Sequence, residues 1–201
     1  MPATIAVLDY GSGNLHSVSR AIAKAGGHAL VTGDPEQVAK ADALVIPGVG
    51  HFGACMRAIA QHGLDQVIRS YTNSGRPVFG VCVGMQVLFE GSEEDGEAGL
   101  AILPGASRTL PDTVKVPHMG WNTVTWTGSH PYLVGIPNDT RFYFVHSYAP
   151  DPGDATIGVT EHGRTFSSAV AKDNVFATQF HPEKSGEAGL RLYDNFVRTL
   201  T

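Results

Sequence analysis

Hydrophobic residues in the first ninety positions alternate between short continuous runs and longer stretches with helical spacing. Continuous runs are typical of strands buried on both faces, and apolar residues three or four positions apart are typical of amphipathic helices. The runs lie at residues 5–8, 29–32, 43–46 and 77–81, and the helical stretches at 15–25, 52–71 and 83–89. This order predicts parallel strands covered by helices.

After Gly91 the pattern changes to short alternating segments separated by Pro, Gly, Asn and Asp, which is typical of antiparallel strands. These segments lie at 121–126, 141–145, 157–161 and 165–171, with a hairpin turn at 161–164, a last strand at 174–180 and a helix at 187–200. Ser185 is the predicted N-cap of that helix. The predicted fold class is α/β, with a mostly parallel central sheet flanked by helices and additional antiparallel strands in the C-terminal half.

The composition suits one globular domain over residues 1–201, because 42% of the residues are hydrophobic and no repeat or linker interrupts the chain. A net charge of −5 without a basic cluster argues against a nucleic-acid partner. The chain has no basic leader and no apolar run of about 18 residues. We therefore expect a soluble, cytoplasmic protein without membrane contact.

The chain has two cysteines, Cys55 and Cys82, too few for a disulfide framework and not spaced as in zinc or redox sites. The nine histidines are scattered, so we predict neither a metal nor a cofactor. Cys55 lies within an amphipathic stretch and has no flanking pair of glycines. Its expected role is packing.

Cys82 lies in the segment Gly-Val-Cys-Val-Gly at residues 80–84, between a predicted strand and a predicted helix. This is the pattern of a nucleophile elbow with cysteine in place of serine. The glycines allow close approach of strand and helix, and the positive end of the helix favours the reactive thiolate. The segment predicts an exposed, activated thiol, although a buried cysteine in a tight strand-to-helix turn is the alternative.

The tripeptide His-Pro-Glu at residues 181–183 follows the last predicted strand. Residues two apart on a strand share a face, so we expect Glu183 to orient the imidazole of His181. His181 would then take the thiol proton and return it to leaving ammonia. The tripeptide alone is weak evidence, and its coincidence with the elbow predicts a triad of Cys82, His181 and Glu183.

Acyl transfer also needs backbone donors for the developing oxyanion. The elbow supplies the amide of Val83, and the Pro-Gly-Val-Gly loop at residues 47–50 follows a buried strand where a second donor is expected. Its glycines permit a peptide flip, although a plain turn is the alternative. Gln86 lies one helical turn after the nucleophile. Glu93 or Glu94 is a candidate for an α-ammonium group, or belongs to a solvated loop.

These segments resemble class I glutamine amidotransferases, through Gly-Val-Cys-Val-Gly-Met-Gln at 80–86 together with the loop at 47–50 and His-Pro-Glu at 181–183. Further segments, at 9–14, 48–53, 116–122, 143–148 and 181–185, are similar to the glutaminase subunits of imidazole glycerol phosphate synthases, over essentially the whole chain. The resemblance implies Cys82, His181 and Glu183 as catalytic residues. It implies an oxyanion hole at Val49, Gly50 and Val83, substrate binding by Gly48, Gln86, Glu94, Ser147 and Tyr148, and a partner interface at Asn14, Trp121, Tyr143 and Lys184. Val83 departs from the commoner leucine, but only its backbone is needed.

The same resemblance implies L-glutamine as substrate and a cyclase subunit as the partner in a heterodimer that serves histidine biosynthesis. A cyclase barrel needs about 250 residues, more than this chain contains. The Gly-Ser-Gly at 11–13 is no dinucleotide fingerprint, because His16 takes the place of the third glycine. The acceptor chemistry must therefore lie on another chain.

Three other functions remain open. The elbow and histidine would also suit a cysteine peptidase or related hydrolase on a similar fold. The chain could instead be a glutaminase for another synthase, such as one in pyridoxal phosphate or purine nucleotide formation. A non-catalytic subunit that keeps the fold is the last alternative, and the complete triad argues against it.

Overall fold

Strands and helices alternate through the N-terminal half as predicted. The computed structural model describes residues 2–200 of the chain. The elements of this half are β1 (Thr4–Leu8), α1 (Leu15–Lys24), β2 (His28–Thr32), α2 (Pro35–Lys40), β3 (Ala43–Gly48), α3 (Phe52–Gln61), α4 (Leu64–Asn73), β4 (Val78–Cys82) and α5 (Val83–Gln86).

Strands dominate the second half. They are β5 (Gly91–Ser92), β6 (Ala106–Thr109), β7 (His118–Trp126), β8 (Thr140–His146), β9 (Tyr148–Pro150), β10 (Thr156–Glu161), β11 (Thr165–Lys172) and β12 (Val175–Thr178). The closing helix α6 spans Gly186–Arg198, and short 3₁₀ helices span Pro131–Leu133 and Pro182–Lys184. The predicted hairpin at 161–164 is confirmed, because Glu161 pairs with Thr165.

Within residues 2–200, nine strands form one sheet in the order β2-β1-β3-β4-β12-β11-β10-β7-β8, and β5, β6 and β9 form a small second sheet. Strands β2, β1, β3, β4 and β12 run parallel to their neighbours in that half of the large sheet, and its other pairs are antiparallel. The last strand, β12, lies beside β4, with Thr178 opposite Val81. This pairing brings the chain after Thr178 to the carboxyl end of β4, where Cys82 lies.

The core lies along β3 and β4, whose residues are all buried. Phe79 of β4 lies near its centre and contacts the rings of Phe176, Tyr193 and Phe196, with centroids 5.1 to 5.5 Å apart. Helix α6 therefore packs against the strands that carry the site.

The N-terminal half differs from the sequence-based expectation in three places. The apolar stretch at 52–71 forms two helices, because Gly63 adopts a left-handed conformation (φ 64°) between them. Helix α2 was not predicted, although Asp34 caps it by accepting a hydrogen bond from the Glu36 amide. Helix α5 ends at Gln86 instead of position 89, because the carbonyls of residues 87–89 accept hydrogen bonds from the amides of residues 100–103. Among residues 2–200, no helix is long and apolar enough to span a membrane.

Candidate active site

Cys82 has a strained backbone at the junction of β4 and α5. Its φ of 56° and ψ of −113° lie in a region that non-glycine residues rarely adopt, at a cost of about 1–3 kcal/mol. The flanking glycines make the junction possible. A Cβ on Gly80 would lie 2.6 Å from the Gly84 oxygen, and a Cβ on Gly84 would collide with the Ile46 oxygen. The close approach expected from these glycines is confirmed.

The surroundings of the thiol differ from the expectation in two ways. Cys82 is only 3% exposed, so it is a buried residue at the wall of a cavity and not an exposed one. Helix α5 has four residues, too few for the helix dipole that was expected to favour the thiolate. One side chain and one backbone carbonyl lie beside the sulfur instead: Gln179 Nε2 donates to it at 3.7 Å, and the sulfur lies 3.9 Å from the Val145 backbone oxygen.

His181 is held to the edge strand β8 by backbone contacts. Its amide donates to the Tyr143 oxygen at 2.9 Å. Ser185 completes the link, because its hydroxyl donates to the His181 oxygen at 2.6 Å and accepts from the Tyr143 amide at 3.0 Å. Ser185 does precede α6 as predicted, but it makes no capping hydrogen bond. Its hydroxyl positions the histidine instead.

Glu183 meets His181 through a turn and not through a strand. Strand β12 ends at Thr178, and Glu183 lies in the 3₁₀ helix Pro182–Lys184, so the argument from a shared strand face was wrong. The pair nevertheless forms: His181 Nδ1 and Glu183 Oε1 are 2.7 Å apart, with side chains 1% and 0% exposed. Asn14 Nδ2 donates to the same carboxylate oxygen at 3.4 Å.

His181 favours its charged form despite burial. Burial lowers its pKa, but the neighbouring Cys82 sulfur and the hydrogen-bonded Glu183 outweigh this and raise the pKa to about 10. The ring atom Nε2 is buried and has no hydrogen-bond partner within residues 2–200. His146 lines the same cavity, and burial, with His118 nearby, lowers its pKa to about 3. Of these two cavity histidines, His181 alone is cationic at neutral pH.

A cavity of about 570 Å³ brings the predicted residues together. Gly48 and Glu183 are not among its lining residues, and Glu183 lies behind His181. The predicted catalytic, oxyanion and substrate residues that line the cavity are Cys82, His181, Val49, Gly50, Val83, Gln86, Glu94, Ser147 and Tyr148.

Two of the predicted substrate residues have structural contacts. Gln86 is buried, and its Nε2 donates to the Tyr148 oxygen at 2.9 Å and to Gln179 Oε1 at 3.0 Å. Glu94 accepts a hydrogen bond from the Phe52 amide at 2.7 Å, at the first residue of α3. Both side chains are therefore held in fixed positions at the cavity wall.

The predicted partner residues lie at or near the cavity mouth. Asn14 and Lys184 line the cavity, and Trp121 is 50% exposed. The rings of Trp121 and Tyr143 are 6.2 Å apart, and Lys184 Nζ lies 6.0 Å from the Tyr143 ring. Met119 is also exposed, so apolar side chains face outward here. An interface role for these residues stays a prediction.

Two side chains of the site make contacts that the sequence did not predict. Gln179, a buried amide at the end of an apolar strand, contacts both Cys82 and Gln86. Asn14 was predicted at the partner interface, and its side chain also bonds Glu183, a contact that was not predicted. A polar residue directly after a buried strand was the one signal that pointed to Gln179. Within residues 2–200, no three His, Cys, Asp or Glu side chains form a group that could hold a metal ion.

Comparison with known proteins identifies relatives over the whole chain. Residues 6–200 match the family described as glutamine amidotransferase class-I. The chain is 49% identical over 199 residues to an Acinetobacter baylyi protein named imidazole glycerol phosphate synthase subunit HisH, covering 96% of this chain and 97% of that protein. A Thermobifida fusca protein of the same name is 47% identical over 212 residues and covers 100% of both chains.

Solved structures of low sequence identity share the fold. PurLQS from Thermotoga maritima has a TM-score of 0.79 at 18% identity and covers 100% of both chains. A crystal structure of a glutamine amidotransferase has a TM-score of 0.73 at 19% identity, covering 97% of this chain and 98% of that chain. The predicted α/β fold class is confirmed.

Proposed function

The chain belongs to the class-I glutamine amidotransferases, and we propose that it is the glutaminase subunit of imidazole glycerol phosphate synthase. It hydrolyses L-glutamine to glutamate and ammonia, and the ammonia passes to a cyclase subunit that forms imidazole glycerol phosphate and AICAR in histidine biosynthesis. One observation carries this function: Cys82, with its strained backbone, and the buried pair of His181 and Glu183 meet at one cavity. The chain that holds them is 47% identical to a HisH subunit along its full length.

The reaction begins with attack of the Cys82 sulfur on the side-chain amide carbon of glutamine. The carbonyl oxygen becomes an oxyanion, which accepts hydrogen bonds from the backbone amides of Val49 and Val83. His181, charged below a pKa of about 10, gives its proton to the leaving nitrogen. Ammonia departs, and a thioester remains on the sulfur.

Water then completes the turnover. His181, now neutral, takes a proton from the water as its oxygen attacks the thioester carbon, and the second oxyanion occupies the same hole. Collapse of this intermediate breaks the carbon–sulfur bond, releases glutamate and frees the Cys82 sulfur, while His181 holds the proton taken from the water. Glu183 bonds Nδ1 throughout, which leaves Nε2 directed to the chemistry.

Glutamine is held by groups along the cavity. The carboxylate of Glu94 receives the α-ammonium group, and Gln86, Ser147 and Tyr148 supply polar contacts to the rest of the substrate. Gly48 has no side chain to obstruct the approach, and Gly50 lies beside the oxyanion position. The assignments of Glu94, Gln86, Ser147, Tyr148 and Gly50 rest on the lining of the cavity and on the family resemblance, and that of Gly48 rests on the resemblance alone.

The partner is the cyclase subunit, in a heterodimer that covers the mouth of the cavity. Asn14, Trp121, Tyr143 and Lys184 form the contact in this proposal. The exposed ring of Trp121 supports it, because large aromatic side chains are common at the centre of interfaces. A covered mouth also keeps ammonia from escaping to solvent.

The test separates ammonia production from ammonia use. We expect Cys82→Ala, assembled with the cyclase, to make no product from glutamine but to retain product formation from ammonium salts at alkaline pH. A glutamine analogue should alkylate the wild-type chain at Cys82 and leave Cys55 unmodified. Synthesis from glutamine by the variant complex would refute Cys82 as the nucleophile. Cleavage of peptides by the wild-type chain, without ammonia release, would favour the peptidase alternative.

A further inference from the structure

Three side chains from outside the loop at residues 47–50 hold its backbone carbonyls. Tyr10 donates to the Pro47 oxygen at 2.6 Å, and Ser12 donates to the Val49 oxygen at 2.7 Å. Cys55 Sγ lies 3.6 Å from that Val49 oxygen and 3.6 Å from the Ser12 hydroxyl. We name Tyr10, Ser12 and Cys55 the loop clamp. These contacts join the β1 end and helix α3 to the loop.

We propose that the loop clamp positions the oxyanion donor of the glutaminase reaction, so that Tyr10, Ser12 and Cys55 are positioning residues for Val49. This inference rests on the proposed function, because it concerns the amide assigned there to the oxyanion hole. It assigns a role to Cys55, which sequence analysis expected only to pack.

The planarity of the peptide bond links each held carbonyl to the next amide. The Pro47 oxygen and the Gly48 amide lie in one rigid plane, and so do the Val49 oxygen and the Gly50 amide. The clamp therefore holds the two peptides on either side of the Gly48–Val49 peptide. That middle peptide carries the Val49 amide, and the held peptides on both sides of it fix its two ends.

The packing around Gly48 supports the same view. A Cβ there would lie 2.6 Å from the Gly84 nitrogen and 2.9 Å from the Tyr10 hydroxyl, so Tyr10 packs closely against Gly48. The β3–β4 pairing also continues to the pair Gly48 and Cys82. The middle peptide therefore lies directly beside the nucleophile, and its orientation decides where the Val49 amide points.

Tyr10 and Cys55 stay protonated, so both remain hydrogen-bond donors. Tyr10 and Cys55 are 1% and 2% exposed, and burial raises the pKa of both side chains above their usual values. A neutral phenol and a neutral thiol remain hydrogen-bond donors across the working pH range. Neither side chain lines the cavity, so neither is placed to touch glutamine.

The test is the steady-state kinetics of clamp variants in the complex with the cyclase. A lost neutral hydrogen bond is worth about fivefold in an equilibrium, so we expect Ser12→Ala to lower kcat for glutamine about fivefold, and Ser12→Ala with Cys55→Ala about tenfold to thirtyfold. KM should stay within about twofold, because the clamp affects the transition state and not substrate binding. Ser12→Thr and Cys55→Ser keep a hydroxyl donor and should recover most of the loss.

Ser19→Ala is the matched control. Ser19 lies on α1, and its hydroxyl has no hydrogen-bond partner within residues 2–200, so its removal should leave kcat unchanged. Product formation from ammonium salts should be normal in every clamp variant. A clamp variant with wild-type kcat, or one in which KM alone changes, would overturn the inference.

A second measurement does not depend on turnover. In the isolated chain, Ser12→Ala should alter the NMR signals of the Val49 and Gly50 amides, whereas Ser19→Ala should leave them in place. Unchanged signals in Ser12→Ala would also overturn the inference. Failure of the proposed function is distinguishable, because the wild-type complex would then make no product from glutamine.

Discussion

Replacement of Glu183 by glutamine removes a charge from the buried pair and changes little else. The carboxylate is fully buried and lies 2.7 Å from His181 Nδ1. Asn14 Nδ2 donates to the same oxygen at 3.4 Å. In the Glu183→Gln variant, this donor favours an amide oxygen at that position, so the new side chain can still accept the Nδ1 proton. We therefore expect the histidine to keep its tautomer and orientation.

The decrease in kcat caused by Glu183→Gln should be moderate. A charge-assisted hydrogen bond contributes about 1.5–3 kcal/mol, which at about 1.36 kcal/mol per tenfold corresponds to a decrease in kcat of roughly 10-fold to 150-fold. KM should change by less than about threefold, since the carboxylate does not line the cavity. His181→Ala removes the proton carrier itself and should abolish nearly all activity.

The assay is ammonia release from glutamine by the complex with the cyclase. Glu187→Gln is the control, because this exposed carboxylate lies one turn further along the chain, in the first turn of α6. We expect the control to behave as wild type. If Glu183→Gln retained more than half of the wild-type kcat, or if His181→Ala were equally harmless, the assignment of the triad would be wrong.

The same geometry predicts three other outcomes. The pKa of His181 is raised to about 10, so the side chain is charged below that pH and loses its proton above it. The alkaline limb of the profile of kcat against pH should therefore lie near 10 and not near the ordinary histidine pKa. Glu183→Gln should move this limb to lower pH. Gly84→Ala should destabilise the fold by about 1–3 kcal/mol or more, because its Cβ would collide with the Ile46 oxygen. The denaturant midpoint measures this loss, and Gly153→Ala, with open space around its Cβ, is the control that should be near neutral. Glutaminase activity should be low in the isolated chain and strongly raised by the substrate-loaded cyclase, and equal rates would exclude gating by the loop at residues 47–50.

Local patterns were sufficient for the parts of the site that depend on neighbours in sequence. The glycines at 80 and 84 predicted the tight strand-to-helix junction, and the structure has it with Cys82 at positive φ. The spacing of His181 and Glu183 predicted their hydrogen bond, although for the wrong geometric reason. A 3₁₀ turn and a strand can both bring side chains two residues apart into contact, and sequence alone does not distinguish them.

Contacts between segments that are distant in sequence could not be predicted from local sequence patterns. Ser185 looks like a helix cap in sequence, and only the position of β8 shows that its hydroxyl is used by Tyr143 and His181. The prediction that Cys82 is exposed was wrong for a related reason. The residues around the elbow in sequence do not reveal that β8 and Gln179, from distant segments, enclose the sulfur in the folded chain.

The placement of β12 explains why the site is assembled from such distant positions. This strand, the last in the chain, lies between β4 and the antiparallel half of the sheet, so it joins the strand of Cys82 to the strands of the predicted partner face. The segment that follows it bonds the backbone of Tyr143, whose ring lies 6.2 Å from that of Trp121 and 6.0 Å from Lys184 Nζ. One short stretch, residues 178–185, therefore orients His181 and borders the predicted interface. Any displacement of β8 at that interface must act on the main-chain contacts of His181, because its amide bonds the Tyr143 oxygen directly.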